Sequence, residues 1–172
     1  MKRNVWITGA SGGIGQAIAR RLAADGWGVL LQYHRHESAA RALEKELTDA
    51  GADAAVVCAD VGDQAEMQAA AAFAERRFGH IDGLVHSAGI ARQQLFTETT
   101  LDDWRQMTRV HLDGAYFACQ AVLPGMIRRQ NGAIVLVSSI WGMVGGSCEV
   151  AYSTVKAGLI GMTRSLAKEV GP

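Results

Sequence analysis

Short apolar runs alternate with amphipathic stretches along the 172-residue chain. The runs are rich in branched residues and have the length of buried strands. They occupy residues 5–8, 29–33, 54–59, 81–86 and 133–137. Between them, apolar residues recur at helical spacing in 14–24, 38–50, 63–77, 101–129 and 151–169. The pattern therefore predicts five strands joined by helices.

Two local features refine the helix boundaries. Asp63 and Glu66 have the spacing of a capping box, which predicts that a helix starts there. Pro124 lies inside the long stretch 101–129 and should kink or interrupt it, because proline lacks a backbone N–H.

Strands that alternate with helices form parallel βαβ units with right-handed crossovers. Strands that are apolar on both sides belong to a sheet covered by helices on both faces. We therefore predict one α/β domain over residues 1–172, with a doubly wound, mostly parallel sheet of Rossmann type. Such sheets bind ligands beyond the carboxyl ends of their strands. The chemistry is expected after Thr8, Tyr33, Ala59, His86 and Val137.

Composition narrows the class of protein. Basic and acidic residues are equal at 17 each, so no charge excess indicates nucleic acid or an anionic membrane as a partner. Cys58, Cys119 and Cys148 are far apart and form no CxxC pair, which predicts free thiols and neither disulfides nor a metal site. No secretory signal and no apolar run of about 20 residues is found, so a cytoplasmic protein is expected.

A glycine-rich segment, Thr8 to Gly15, joins the first strand to the first helix. Gly9, Gly13 and Gly15 allow a tight turn and let a pyrophosphate approach the amides at the helix N-terminus. The spacing is G-x-x-x-G-x-G and differs from the common G-x-G-x-x-G. The alternative is an ordinary glycine-rich turn, but its position favours nucleotide binding.

The end of the second strand bears on cofactor choice. An acid there would bind a ribose 2′-hydroxyl, whereas an arginine suits a 2′-phosphate. The strand ends Gln32-Tyr33-His34-Arg35, and no acid follows until Glu37. This favours NADP(H) over NAD(H), with Arg35 as phosphate partner, unless Arg35 is a solvent-facing loop residue.

Tyr152 and Lys156 are four residues apart and therefore share one face of the last helix. Ser139 lies at the mouth of the fifth strand, where the sheet topology predicts a ligand crevice. The agreement between the spacing and the topology favours a catalytic site over a chance pair.

These motifs, with Asp60-Val61, Ser87-Ala88-Gly89 and Ser138-Ser139, resemble the short-chain dehydrogenase/reductase family. The stretch 152–170 is similar to bacterial 3-oxoacyl-(acyl-carrier-protein) reductases. The resemblance implies a nicotinamide-dependent oxidoreductase that reduces a carbonyl to a secondary alcohol. With it we expect a small-molecule or acyl-carrier-linked substrate, such as a 3-oxoacyl thioester of fatty acid biosynthesis. We also expect a homo-oligomer, either a dimer or a tetramer.

The resemblance also implies roles for residues. Tyr152 would donate the proton, although a phenol is a poor acid at neutral pH unless the Lys156 cation and the oxidised nicotinamide favour the phenolate. Ser139 would hold the substrate oxygen. The implied cofactor contacts are Gly9, Ser11, Gly13, Ile14, Gly15, Tyr33, His34, Arg35, Asp60, Val61, Ser87, Ala88, Gly89, Tyr152 and Lys156.

Several positions depart from the family pattern. His111 stands where family members usually carry an asparagine of the proton relay. It either replaces that asparagine as a catalytic residue, with a pKa near 6.5 that would add a pH dependence, or is a buried histidine bonded to backbone. Ser87 also replaces an asparagine. Trp141 is bulky, and either lines the substrate pocket or packs in the core.

The chain stops at Gly171-Pro172, where family members continue. We expect that a C-terminal part is missing and that the sheet has an uncovered edge where a sixth strand belongs. An alternative function follows from the departures: a cofactor-binding but catalytically weak paralogue or fragment that acts in assembly.

Overall fold

A computed structural model of the protein describes residues 2–171. Its five strands form one parallel sheet in the order β3-β2-β1-β4-β5. The strands are β1 (Asn4–Thr8), β2 (Gly28–Tyr33), β3 (Ala54–Cys58), β4 (Gly83–His86) and β5 (Ala133–Leu136). The doubly wound parallel sheet predicted from the sequence is confirmed.

Helices connect successive strands, as the apolar periodicity predicts. They are α1 (Gly13–Ala24), α2 (Glu37–Asp49), α3 (Gln64–Phe78), α4 (Leu101–Thr108), α5 (Gly114–Arg129), α6 (Trp141–Val144) and α7 (Val150–Val170). A 3₁₀ turn (Phe96–Glu98) and a π-helical segment (Arg109–Asp113) complete the fold. The 3₁₀ turn, the short α6 and the π-helical segment were not predicted.

Each face of the sheet has its own core, because alternate strand residues point to opposite sides. Trp6 and Leu84 face the layer formed by α3, α5 and part of α7. Ile7 and Leu31 face the layer formed by α1 and α2. All four are at most 1% exposed, which explains why the strand sequences are almost uniformly apolar.

The strand order reverses at β1, which pairs with β2 on one side and with β4 on the other. Chain crossovers therefore leave in opposite directions from the carboxyl ends of β1 and β4. This is the position of the ligand crevice in doubly wound sheets. Thr8 and His86 are register partners at that point, and both are buried.

The start of α3 has one of the two hydrogen bonds of the predicted capping box. The Asp63 carboxylate accepts the Glu66 N–H at 3.0 Å. The Glu66 carboxylate accepts the Asp60 N–H at 2.6 Å, so it ties the helix to the residue after β3.

Of the two outcomes predicted for Pro124, a kink or an interruption of the long helical stretch, the interruption does not occur. Pro124 lies inside the continuous helix α5, and the interruption is the π-helical segment Arg109–Asp113. Pro124 and Gln120, whose carbonyl loses its helical partner, are both exposed, so water can satisfy that carbonyl. The π-helical segment instead carries the buried His111.

β5 is an edge strand, and Val135 on it is 53% exposed. An open, mostly apolar groove of about 590 Å³ runs between α5, β5 and α7. Its lining includes Leu123, Met126, Ile134, Leu136, Leu166 and Val170. The uncovered edge agrees with the expectation from the sequence. Within residues 2–171, no helix is both long and apolar enough to cross a bilayer.

Candidate active site

The loop between β1 and α1 depends on two glycines. Gly9 has φ +65°, and a Cβ there would lie 2.6 Å from the Cα of Ala88. A Cβ on Gly15 would overlap the carbonyl oxygen of Gly9. Only glycine therefore allows this loop to turn tightly and to contact the segment after β4.

The N-terminus of α1 is available to an anion. Its N-cap residue is Gly12, and no side chain of residues 2–171 caps the helix. A Cβ on Gly13 would meet nothing within 4 Å, and Ile14 is exposed, so the approach is open. The Ser11 carbonyl accepts the Gln16 side-chain N–H at 2.9 Å, which fixes the loop. Uncapped amides at a positive helix end fit the pyrophosphate of a dinucleotide.

Gln32 supports this loop and was missed as a functional residue. It is 1% exposed, and its Oε1 accepts the Gly9 N–H at 2.8 Å. Its Nε2 donates to the carbonyl of Ala59. A polar residue in the otherwise apolar strand Val29–Tyr33 was the available signal.

The end of β2 presents basic side chains. Tyr33 is buried, whereas His34 and Arg35 are exposed. Within residues 2–171, Arg35 takes part in neither a hydrogen bond nor an ion pair. The Glu37 carboxylate lies 3.4 Å from the Arg41 guanidinium. It also lies near the Tyr33 hydroxyl. Burial, and after it the Glu37 carboxylate, raise the pKa of Tyr33. Glu37, the first acidic residue after β2, is therefore already paired with Arg41.

Asp60, after β3, is held by two donors. Its carboxylate accepts the Gly62 N–H at 2.9 Å and an Arg109 N–H at 2.6 Å. Burial acts to raise the pKa of Asp60, but the Gly62 and Arg109 contacts outweigh it and hold the pKa below its ordinary value. Val61 beside it is buried. Arg109 was missed by sequence reasoning, since it is distant in the chain from Asp60.

The segment after β4 is bonded to β1. The Ser87 hydroxyl donates to the Thr8 carbonyl at 3.0 Å, and the Ala88 N–H donates to the Thr8 hydroxyl at 3.3 Å. Gly89 follows, and a Cβ there would lie 2.6 Å from Cε1 of His111. Ser87 thus makes a backbone contact despite being shorter than asparagine, and the segment Ser87 to Gly89 packs against Gly9 on one side and His111 on the other.

Tyr152 and Lys156 lie on the first turns of α7. Lys156 is 5% exposed, and burial lowers its pKa. Its Nζ donates to the carbonyl of Val137 at 2.7 Å and lies 5.5 Å from the centre of the Tyr152 ring. The Ser138 hydroxyl donates to the Lys156 carbonyl at 2.7 Å. These bonds fix the Tyr152 face of α7 to the carboxyl end of β5.

Ser139 follows Ser138 in the turn that connects β5 to α6. Its Oγ accepts the Trp141 N–H at 3.2 Å, which leaves the hydroxyl proton free to donate. A Cβ on Gly142 would lie 2.7 Å from the Lys156 carbonyl carbon, so the turn packs directly on α7. Ser139, Tyr152 and Lys156 therefore belong to one corner of the fold.

His111 is 1% exposed and contacts Tyr152 edge-to-face, with ring centres 5.7 Å apart. Its Nε2 lies 3.1 Å from the N and 2.8 Å from the O of Ile90. Burial lowers the pKa of His111 to about 4. The ring is therefore neutral near pH 7, and the pH dependence expected around 6.5 is not supported.

Trp141 is 40% exposed and is not a core residue. Three neighbours in the same turn are more exposed, namely Ile140, Met143 and Val144. An open apolar surface therefore follows Ser139.

Comparison with known proteins identifies the family of the chain and several relatives. The short chain dehydrogenase family matches residues 3–172. The chain is 38% identical over its whole length to the uncharacterized oxidoreductase YmfI of Bacillus subtilis, covering 70% of that protein. It is 35% identical over 99% of its length to the 3-oxoacyl-[acyl-carrier-protein] reductase FabG of Staphylococcus aureus, covering 69%. A 3-oxoacyl-[acyl-carrier-protein] reductase of Synechocystis is 37% identical over 95% of the chain, covering 66%.

The fold and these matches define the class: an NAD(P)-dependent oxidoreductase with a Rossmann sheet. The chain belongs to the short-chain dehydrogenase/reductase family. It spans roughly two thirds of the length of the relatives named above, with coverage of 66–70%.

Proposed function

We propose that the protein uses NADP(H) to reduce a carbonyl group to a secondary alcohol. The observation that carries this proposal is the corner formed by Ser139, Tyr152 and Lys156 at the carboxyl end of β5. It adjoins the crevice whose glycine loop and uncapped helix fit a dinucleotide. A bound reduced nicotinamide supplies the hydride in this chemistry.

The residues of the corner have complementary roles. Tyr152 gives its phenolic proton to the carbonyl oxygen as negative charge develops there. Ser139, whose hydroxyl proton is free, donates a hydrogen bond to the same oxygen. The Lys156 cation favours the phenolate that Tyr152 becomes, and keeps two further N–H groups for a cofactor ribose.

His111 acts in this site through position. Its Nε2 holds the Ile90 backbone, and its ring supports the edge of Tyr152. We propose that it fixes the distance between the backbone at Ile90, which would lie behind the cofactor, and the phenol of Tyr152.

The preference for NADP(H) rests on Arg35. It is exposed at the carboxyl end of β2, its guanidinium is free within residues 2–171, and Glu37 is engaged by Arg41. Bidentate binding to a 2′-phosphate suits a guanidinium.

Arg35→Ala is expected to raise the KM for NADPH about 10- to 100-fold, the range of a charge-assisted hydrogen bond, and to leave the KM for NADH nearly unchanged. Steady-state rates with both cofactors measure this. Arg21→Ala, at another exposed arginine that pairs with Asp25, is the matched control. Equal changes for NADPH and NADH would remove Arg35 from the phosphate site.

The candidate substrate is a 3-oxoacyl thioester. Two of the relatives are named as 3-oxoacyl-[acyl-carrier-protein] reductases. The apolar surface after Ser139, with Trp141 and Met143, suits an aliphatic chain beside the reacting carbonyl. Three free cysteines fit a reducing compartment such as the cytoplasm, and a homo-oligomer is part of the proposal.

The deciding experiment follows loss of NADPH absorbance across ketones and acyl thioesters, including an acetoacetyl thioester. We expect turnover with a 3-oxoacyl thioester and formation of the 3-hydroxy product. Binding of NADPH without turnover of any carbonyl would favour the cofactor-binding paralogue instead.

His111→Asn is expected to leave the shape of the pH–rate profile unchanged between about pH 6 and pH 8, because burial lowers the pKa of His111 to about 4. Reductase rates of both proteins across that range give the answer. An inflection present only in the wild type would show that His111 exchanges protons during turnover.

A further inference from the structure

His86 is a buried histidine at the end of β4 that the proposed reaction does not use. It is 1% exposed, and its Nδ1 lies 3.0 Å from the Thr8 hydroxyl oxygen. Its Nε2 is fully buried and has no hydrogen-bond partner within residues 2–171. A buried ring nitrogen without a partner calls for a reason, because leaving it unpaired costs stability.

The contacts of Thr8 determine which nitrogen of His86 carries the proton. The Ala88 N–H can only donate, so the Thr8 hydroxyl oxygen accepts it. If Nδ1 of His86 also donated to Thr8, the buried hydroxyl proton would lack an acceptor and Nε2 would lack a donor. If Thr8 donates to Nδ1, both contacts of the hydroxyl are satisfied and the proton is on Nε2. The second arrangement leaves fewer unpaired groups.

The His86 ring lies against the start of α5. A Cβ on Gly114, the first residue of α5 after the π-helical segment, would lie 3.2 Å from Cε1 of His86. Burial first, and then the nearby titratable groups His111 and Lys156, lower the pKa of His86 to about 3. The His111 carbonyl acts in the opposite direction, as a nearby acceptor does. The neutral His86 ring thus packs beside the segment that carries His111, and its Nε2 proton has no acceptor at hydrogen-bonding distance within residues 2–171.

We propose that His86 is a positioning residue: Thr8 holds it in the Nε2–H form, and the buried ring packs against Gly114 and fixes the π-helical segment relative to Tyr152. The link joins three elements at the site. Thr8 precedes the glycine loop, His86 precedes the segment Ser87–Gly89, and His111 contacts Tyr152. The kinetic part of this inference rests on the proposed reductase function, whereas the tautomer does not.

The first test is the tautomer in the unmodified protein. Nitrogen-15 NMR of histidine-labelled protein near neutral pH should show a pyrrole-type Nε2 and a pyridine-type Nδ1 for His86. The signal is assigned by its loss in His86→Asn. Thr8→Val removes the hydroxyl and should mix or reverse the tautomers. An Nδ1–H form in the wild type, or no change in Thr8→Val, overturns the inference.

The second test is turnover. His86→Phe, which cannot accept the Thr8 hydroxyl proton, should lower kcat about tenfold with less change in the cofactor KM, and His86→Asn, which keeps an acceptor, should restore most of it. Thermal unfolding of each variant checks that it is folded. Equal kcat in the Phe and Asn variants contradicts the positioning role.

The two proposals fail in different ways. An absence of turnover in the wild type removes the reductase proposal and leaves the tautomer measurement valid. If His86→Phe does not fold, Thr8→Val and the wild-type spectrum still decide whether Thr8 sets the proton position.

Discussion

Tyr152→Phe is expected to lower kcat by roughly 10²- to 10⁴-fold, the contribution typical of a positioned general acid. The substitution removes only the hydroxyl, so the edge contact with His111 and the packing of the ring on α7 are preserved. Lys156 keeps its bond to the Val137 carbonyl. NADPH affinity should therefore change little, and a loss confined to kcat assigns the proton transfer to this oxygen.

Tyr116→Phe provides the matched control. Tyr116 is 46% exposed on α5, and its ring packs only against Phe117 among aromatic neighbours within residues 2–171. The same chemical change there should leave kcat near the wild-type value. Turnover by Tyr152→Phe comparable to this control would remove Tyr152 from the chemistry, whatever the substrate.

Acid is expected to destabilise the protein strongly below about pH 6.5, because two buried histidines must remain neutral in the folded state. Burial lowers the pKa of His86 to about 3 and that of His111 to about 4. In an unfolded chain a histidine titrates near 6.5, so the unfolded state binds these protons first. This stability is fully present above the unfolded pKa and is lost as the pH falls toward the folded values.

The expected loss is large. At about pH 5 each histidine costs about 2 kcal/mol, or about 4 kcal/mol for the pair. That is a large share of the ~5–15 kcal/mol by which a typical domain is stable. Urea unfolding from about pH 7 down to about pH 5 measures the free energy of unfolding at each step.

Asparagine substitutions identify the source of this pH dependence. His86→Asn and His111→Asn should each flatten the dependence of the unfolding free energy on pH by about half. His36→Asn, at an exposed position, should leave the slope as in the wild type. If the slope is the same in all four proteins, other groups drive the acid unfolding.

The sequence alone determined the layered architecture. Apolar runs of strand length separated by amphipathic stretches are enough to specify parallel βαβ units, because burial on both faces makes most positions of such strands apolar. The four-residue spacing of Tyr152 and Lys156 likewise requires only a helix to place both on one face. Their catalytic roles remain predictions.

Tertiary structure decided where the long helix is interrupted. Pro124 was the visible candidate, but an exposed carbonyl can bond to water at little cost. The break instead falls at Arg109–Asp113, where Arg109 reaches Asp60 and His111 reaches Ile90. These partners lie 49 and 21 residues away in the chain, beyond the reach of local pattern.

The protonation of the histidines was decided in the same way. From sequence, His111 is either a relay residue that titrates near 6.5 or a buried histidine bonded to backbone. In the fold it lies under Tyr152 and beside Gly89, and removal of water from a charged ring favours the neutral form. His86 is likewise buried, and its partner Thr8 lies 78 residues away in the chain. Periodicity along the chain specifies which face a side chain takes, whereas its charge depends on which distant groups exclude water from it.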